Sequence, residues 1–335
     1  MKPAHSNQAL FGSKSVLGTA AVLCATLLWA TTPAVAQNFP TKPIRFIVPT
    51  APGGNADIVA RIAAEGMSRD LGHPVFIDNQ SGGRQIPGTN LAAKAPPDGH
   101  TLIAVGLSFT ANAVLYNDLP YDPVKDFAPV GVFGSTPLLV VAHPGLPANS
   151  MKELIALAKA KPGTINYASA GIGSPAHLGG ELLKSMAGID LVHVPYKATA
   201  QGNTDTMNGV VQLSLPAAAS IVSLVKSGKL KALGIGSLKR SPQMPEVPAI
   251  AETLPGYEVQ LWNGMEAPAA TPKPIITRLN VALNKGLNSP DIRDRLIKAG
   301  LDVDPQTPEQ MAAYIDREIR KWTKLVQEVG IKGER

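Results

Sequence analysis

Three stretches place glycine directly before a helical pattern: "APGGNAD" at 51–57, "SGGRQIPGTN" at 81–90 and "ASAGIGSPAHL" at 168–178. The first N–H groups of a helix lack intrahelical partners and carry partial positive charge, and glycine lets a ligand approach the backbone closely. Each turn therefore suits an anion, although any one of them alone reads first as a tight turn. Nucleotide chemistry fails on spacing. Gly83 and Gly88 stand as in a phosphate-binding loop, but Thr89-Asn90 follows where such a loop needs Lys and then Ser or Thr. "PGGNAD" lacks the G-x-G-x-x-G order of dinucleotide sites, and Asp57 would repel a polyphosphate while still favouring its own helix dipole.

Catalytic chemistry finds little support. No G-x-S-x-G elbow, H-E-x-x-H pair or S-x-x-K stands in a strand-turn-helix context after the leader, and no nucleophile–base pair is evident. His73, His100, His143, His177 and His193 show no i, i+4 pair that could ligate a metal. His177, three residues after a candidate cap at Ser174, either orients the glycine turn from the first helical turn or simply packs. No enzyme activity, cofactor or metal is expected.

The elements that must hold these turns alternate. "IRFIVP" precedes a helix over 56–67, "PVFID" precedes one from about Gly88, and "TLIAVG" follows. In the first helix Ile58, Val59, Ile62, Ala63 and Met67 fall on one side, with Asn55 as the N-cap. A second block repeats the logic after "TPLLVVAHP": helix "MKELIALAKAK", strand "INYASA", helix 175–186, strand "LVHVPY", a helix near 205–208, then "VQLSLP" and "KALGIGS". Such βαβ alternation predicts an α/β protein of two lobes, each a mixed, mainly parallel sheet flanked by helices. Residues 138–143 and 259–268 are placed to cross between the lobes as a hinge. Ligands of open α/β sheets sit beyond the carboxyl ends of the strands, so both lobes would aim helix starts at one cleft. At the C-terminus Thr307-Pro308-Glu309-Gln310 reads as a capping box. It opens a helix with the stripe Met311, Ile315, Glu318, Trp322, Leu325 and Val329, in which Trp322 packs.

The first 36 of the 335 residues read as a cleaved signal peptide, with Lys2 and Lys14, the apolar run "SVLGTAAVLCATLLWA" and Ala34-Val35-Ala36 before Gln37. Cys24, the only cysteine, lies in this leader, and Leu23 before it is too large for lipoprotein cleavage. Disulfides and thiolate chemistry are thereby excluded from the mature chain, which fits a bacterial periplasm. Two of the 31 basic residues fall in the leader, leaving 29 against 25 acidic. The basic residues are scattered, so nucleic acid is not an expected partner, whereas an anionic small molecule is.

"PIRFIVPTAPGGNADIVAR", "APPDGHTL", "YDPVKDFAPVG", "ASAGIGSPAHLGGELL", "HVPYKA", "GKLKALGIGSLKRSPQMPEVPAIAE" and "PGYEVQLWNGMEAPAATPKPIITRLN" together resemble the Bug family, the periplasmic solute receptors of tripartite tricarboxylate transporters. The resemblance covers nearly the whole mature chain. It implies a two-lobed periplasmic binding protein of the Venus flytrap kind, type II-like, a monomer that delivers a small carboxylate to membrane transporter subunits. Two rival readings stand beside it: an exported α/β enzyme acting on carboxylates, which would need a nucleophile–base pair, and a ligand sensor for a signalling system without transport. The implied lobes are 37–140 with 265–335, and 141–264. The implied first wall is Pro52, Gly53, Gly54, Asn55, Gly82, Gly83, Arg84, Gln85, Ile86, Gly88, Thr89 and Ser108. The implied second wall is Ser169, Gly171, Gly173, Ser174, Tyr196, Lys197, Ala198, Thr199, Pro216, Ala217 and Ala218. Lys197 is either a contact or a solvated charge on the lip.

The chain departs from the family pattern at Arg84 and Gln85 and at Ala198 and Thr199, where members usually carry glycines, and at Asn55, where they usually carry Ser or Thr. Arg84 offers a guanidinium fork for a second carboxylate, or else points to solvent. Ile86 and Ala198 leave room for an aromatic or a linear dicarboxylate alike.

Overall fold

The computed structural model of the protein describes Met1 and residues 39–332. The signal peptide expected over 1–36 therefore lies, Met1 apart, outside the described residues.

The chain from Pro40 onward builds two sheets. The first has six strands: β1 (Ile44–Val48), β2 (Val75–Asn79), β3 (Thr101–Gly106), β4 (Phe127–Pro137), β10 (Gln260–Pro268) and β11 (Asp302–Val303), in the order β11-β4-β10-β3-β1-β2. The second has five: β5 (Leu139–Ala142), β6 (Asn166–Ser169), β7 (Val192–Pro195), β8 (Leu213–Ser214) and β9 (Lys231–Ile235), in the order β7-β6-β8-β5-β9. Both sheets are mixed. The pairs β1–β2, β1–β3, β6–β7 and β6–β8 are parallel, while every pair that includes β4, β5 or β10 is antiparallel. Antiparallel pairing thus has a larger share than βαβ alternation implies. β4 and β5 lie on either side of one crossing between the sheets, and β10 enters the first sheet as a long return strand.

Helices follow the strands: α1 (Asn55–Leu71), α2 (Ile86–Ala93) and α3 (Leu107–Leu115) in the first unit of alternation. In the second come α4 (Met151–Ala160), α5 (Pro175–Ala187), α6 (Thr199–Met207) and α7 (Ala218–Lys226). α8 (Lys273–Asn288), α9 (Pro290–Lys298) and α10 (Pro308–Val329) close the chain. α1 buries Val59, Ile62, Ala63 and Met67 at helical spacing, but Ile58 is 42% exposed, because the buried stripe continues through Ala60 and Ala64 instead. Gly54, not Asn55, is the N-cap, and it makes no side-chain cap bond. Asn55 already belongs to the helix, because the Asp57 carboxylate reaches back to the Gly53 N–H and satisfies the turn. α6 starts at Thr199, well before the expected 205, and α2 begins at Ile86.

The Thr307 capping box forms as its spacing predicts: Gln310 N–H donates to Thr307 Oγ1 and Thr307 N–H to Gln310 Oε1. Trp322 is fully buried, while Val329 is left at the exposed end of the stripe. α10 packs on α3 and β4 and also on α5, so one helix touches elements from both blocks of strand–helix alternation. One apolar cluster runs from Ile103 and Phe109 through Leu138 and Val140 to Tyr167, Leu178 and Leu213. The chain passes between the sheets at Leu138 and at Val259. These crossings are tied together by Leu138 N–H to Val259 O (3.3 Å), Val259 N–H to Gly236 O (2.8 Å) and Gly236 N–H to Leu138 O (2.7 Å).

Candidate functional site

All the glycine turns stand at the carboxyl ends of parallel strands, where the sequence pattern puts them. In the first, Gly53 has φ +82°, and its N–H donates to Asp57 Oδ2 at 2.9 Å. Asp57 is 2% exposed and is also held by Arg61 Nε (2.9 Å) and Asn79 Nδ2 (2.8 Å), while Asn79 Nδ2 further donates to Thr50 O (3.1 Å). Burial works to raise the Asp57 carboxyl, but these hydrogen bonds and the Arg61 charge outweigh it and keep it below the usual carboxylate range.

In the second turn Arg84 (φ 57°) and Gln85 (φ 72°) both occupy the left-handed region, the only non-glycine residues with positive φ among those described. A side chain there costs about 1 kcal/mol or more per residue, which is why glycine suits these positions. The turn is held by Gln85 N–H to Gly82 O (2.9 Å), Ile86 N–H to Gly83 O, Thr89 Oγ1 to Gln85 O (2.8 Å) and Asn112 Nδ2 to Arg84 O (2.8 Å). The Arg84 guanidinium lies over the Tyr116 ring, 5.2 Å from its centroid.

The third turn uses its own side chains. Ser174 caps α5 by accepting from His177 N–H (3.3 Å), and His177 Nδ1 accepts from Gly173 N–H (3.1 Å), so His177 does orient the turn. Ser169 Oγ accepts from Gly171 N–H (3.0 Å) and lies 2.6 Å from His193 Nε2. The sequence disclosed no serine–histidine pair, and the fold creates one. His193 is nevertheless a weak base: burial, then the neighbouring His177 at 4.2 Å between ring centroids, pushes it down to about 4. Burial likewise lowers His177.

The second and third turns meet at α3. A Cβ built on Gly173 would lie 3.0 Å from Leu115 Cδ1, so the third turn touches the helix that holds Arg84. A cavity of about 130 Å³ opens beside the first wall, and of the expected residues Asn55, Gln85 and Ser108 line it. Pro52, Gly53, Gly54, Gly82, Gly83 and Arg84 are exposed and do not line it. Gly88 and Thr89 are buried behind the turn, where a Cβ on Gly88 would lie 2.9 Å from Gln80 O, and Ile86 packs against the core. On the second wall Lys197, Ala198 and Thr199 are exposed, whereas the Tyr196 hydroxyl donates to Asp205 at 2.9 Å. Pro216 O accepts from Leu139 N–H, Ala217 is half-buried, and Ala218 lines a separate pocket beside Gly300.

Several participants escaped the sequence reading. Trp262, Asn263 and Gly264 of β10 line the same cavity as Ser108. Asn203 and Ser214, both buried, surround a small void with Ser169 and Thr199, and Asn203 Oδ1 and Ser214 Oγ find no hydrogen-bond partner among the described residues. Asn112 could have been found: it stands four residues after Ser108 on one face of α3, and Tyr116 follows as the extended residue that ends the helix.

The chain matches the family described as "Tripartite tricarboxylate transporter family receptor" over residues 59–331. It is 35% identical to Protein BugT of Bordetella pertussis over 90% of this chain and 93% of that one. Among solved structures it resembles the periplasmic binding protein BugD, at 34% identity and a TM-score of 0.71, over 88% of this chain and all of that one. It also resembles two Rhodopseudomonas palustris proteins at 33% identity each. One was solved with adipate (TM-score 0.73, covering 88% of this chain and 99% of that) and one, MatC, with bound malate (0.70, 86% and 100%). With this fold and this match over most of its length, the chain belongs to the tripartite tricarboxylate transporter receptor family, a family of solute-binding proteins rather than enzymes.

Proposed function

We propose that the protein is a periplasmic receptor that binds a small dicarboxylate between two lobes and presents it to a tripartite membrane transporter. The observation that supports this most directly is the convergence of two glycine turns on α3, Arg84 tied to Asn112 and Gly173 against Leu115. The lobes of this reading are 37–140 with 265–335, and 141–264, hinged where the chain crosses at Leu138 and Val259. Helix starts on both sides, those of α1, α2 and α3 and those of α5 and α6, favour negative charge. Arg84 adds a full cation, and among the described residues it has no carboxylate partner, unlike Arg45, Arg61 and Arg69. The bound adipate and malate of two relatives agree with this ligand class. Ligand selective for the closed form shifts the population toward it, and that form is what a transporter would recognise.

Two measurements test the reading. A thermal-shift screen of carboxylic acids on the mature protein should raise the melting temperature with dicarboxylates, because a ligand that binds only the native state stabilises it. A response confined to sugars or amines would overturn the ligand class. In calorimetry, Arg84→Ala should weaken dicarboxylate binding by roughly tenfold or more, the scale of one charge-assisted hydrogen bond. Unchanged affinity would remove Arg84 from the site.

A further inference from the structure

Arg84 is not simply an exposed arginine on a glycine turn. Its backbone is held in a left-handed conformation that an L-residue resists, and its side chain is laid on an aromatic ring. Both restraints come from α3 and the residue that ends it, Tyr116, whose backbone is already extended (φ −124°, ψ 124°) but whose N–H still bonds Asn112 O. Asn112, 6% exposed, donates to Arg84 O at 2.8 Å, and Tyr116, four residues on, carries the guanidinium on its ring face. Ser108, four residues before Asn112, lines the cavity. α3 and its C-terminal cap residue therefore link the cavity at Ser108 to Arg84.

We propose that Asn112 and Tyr116 are positioning residues that preset Arg84 as the receptor for a ligand's distal carboxylate, making α3 the element that selects dicarboxylates over monocarboxylates. This rests on Arg84 contacting the ligand. A free arginine loses much of its rotamer freedom on binding an anion, and that loss cancels part of the gain. A guanidinium already stacked on a ring has lost that freedom beforehand, and stacking leaves its in-plane N–H fork open to a carboxylate. The amide of Asn112 fixes the Cα from which the side chain departs, which a strained αL residue cannot fix by its own preference. The same helix also meets Gly173 through Leu115, so the preset arginine has a fixed relation to the opposite wall. The selectivity device is therefore the turn together with the helix behind it.

The test compares affinities for adipate and malate with that for hexanoate, a monocarboxylate of adipate's chain length, by calorimetry on the mature protein. The native protein should favour the dicarboxylates, and Arg84→Ala should abolish that preference. Tyr116→Leu and Asn112→Ala should each lower dicarboxylate affinity by about three- to tenfold, the scale of one cation–π contact or one hydrogen bond, and leave hexanoate unchanged. Tyr116→Phe keeps the ring face and should restore the native preference. Unchanged hexanoate binding also certifies that a variant is folded. If Arg84→Ala abolishes the preference while Tyr116→Leu and Asn112→Ala retain it, the positioning role is overturned and the Arg84 contact stands. If the native protein shows no preference, or Arg84→Ala keeps it, the contact and the positioning role both fail.

Discussion

Asp57 and Glu266 are buried carboxylates with opposite fates. Asp57 collects donors from Gly53, Arg61 and Asn79, so its carboxyl lies low despite burial. Glu266, 1% exposed in β10, has an Oε2 without a hydrogen-bond partner among the described residues, and burial lifts it well above the ordinary carboxylate range. Linkage gives them opposite pH signatures. The Asp57 contribution is present above the unfolded carboxylate pKa near 3.8 and is lost as the pH falls through the lower folded value. Asp57→Ala should thus destabilise by about 1–3 kcal/mol at neutral pH, the cost of a broken buried network, and the gap to the native protein should narrow below pH 3.8 in urea melts. A raised carboxyl costs stability as the pH climbs above 4.5. Glu266→Gln should accordingly raise the melting temperature at pH 8 and lose that advantage toward pH 4. A variant no more stable than the native protein at pH 8 would mean that Glu266 is solvated or paired.

Among the elements, α1 and α8 pack through glycine. A Cβ on Gly66 would lie 2.8 Å from Gly286 Cα, so the two helix backbones touch at this point. Alanine favours an isolated helix by about 1 kcal/mol over glycine, yet overpacking a tight contact costs about 1–3 kcal/mol. Backbone atoms cannot swing aside as a side chain can, so Gly66→Ala should lower the unfolding midpoint in denaturant, and a raised midpoint would show a looser crossing. Helix ends were legible where capping chemistry is local. Thr307–Gln310 and Ser174 cap as their spacing predicts. Asn55 did not, because a carboxylate two residues on, held by Arg61 and Asn79 from elsewhere, took over the turn.

At the scale of the molecule, two crossings and one helix govern how the sheets relate. Leu138, Gly236 and Val259 bond to one another at the crossing, and a Cβ on Gly236 would lie 2.6 Å from Val259 O. α10 reaches across, with Lys321 Nζ donating to Glu258 O (3.0 Å) and Ser185 Oγ to Glu328 (3.0 Å). If the proposed lobes close about these crossings, adding a dicarboxylate should shrink the radius of gyration in small-angle scattering. Gly236→Ala should blunt that change while sparing each sheet's own pairing. Scattering curves identical with and without a bound dicarboxylate would exclude closure.

What the sequence determined by itself was whatever depends on neighbours in the chain: the alternation of strand and helix, the glycine turns before helices, the capping box at Thr307 and the cap at Ser174, and the family likeness carried by its motifs. Only the tertiary structure decided which turns share a helix, that Ser169 meets His193, that Gly53 and Gly173 spend their N–H groups on Asp57 and His177, and that Arg84 lies on Tyr116. The physical reason is range. Backbone propensity and capping act over about four residues, whereas a binding site is made by side chains that are brought together only when sheets close on a common core.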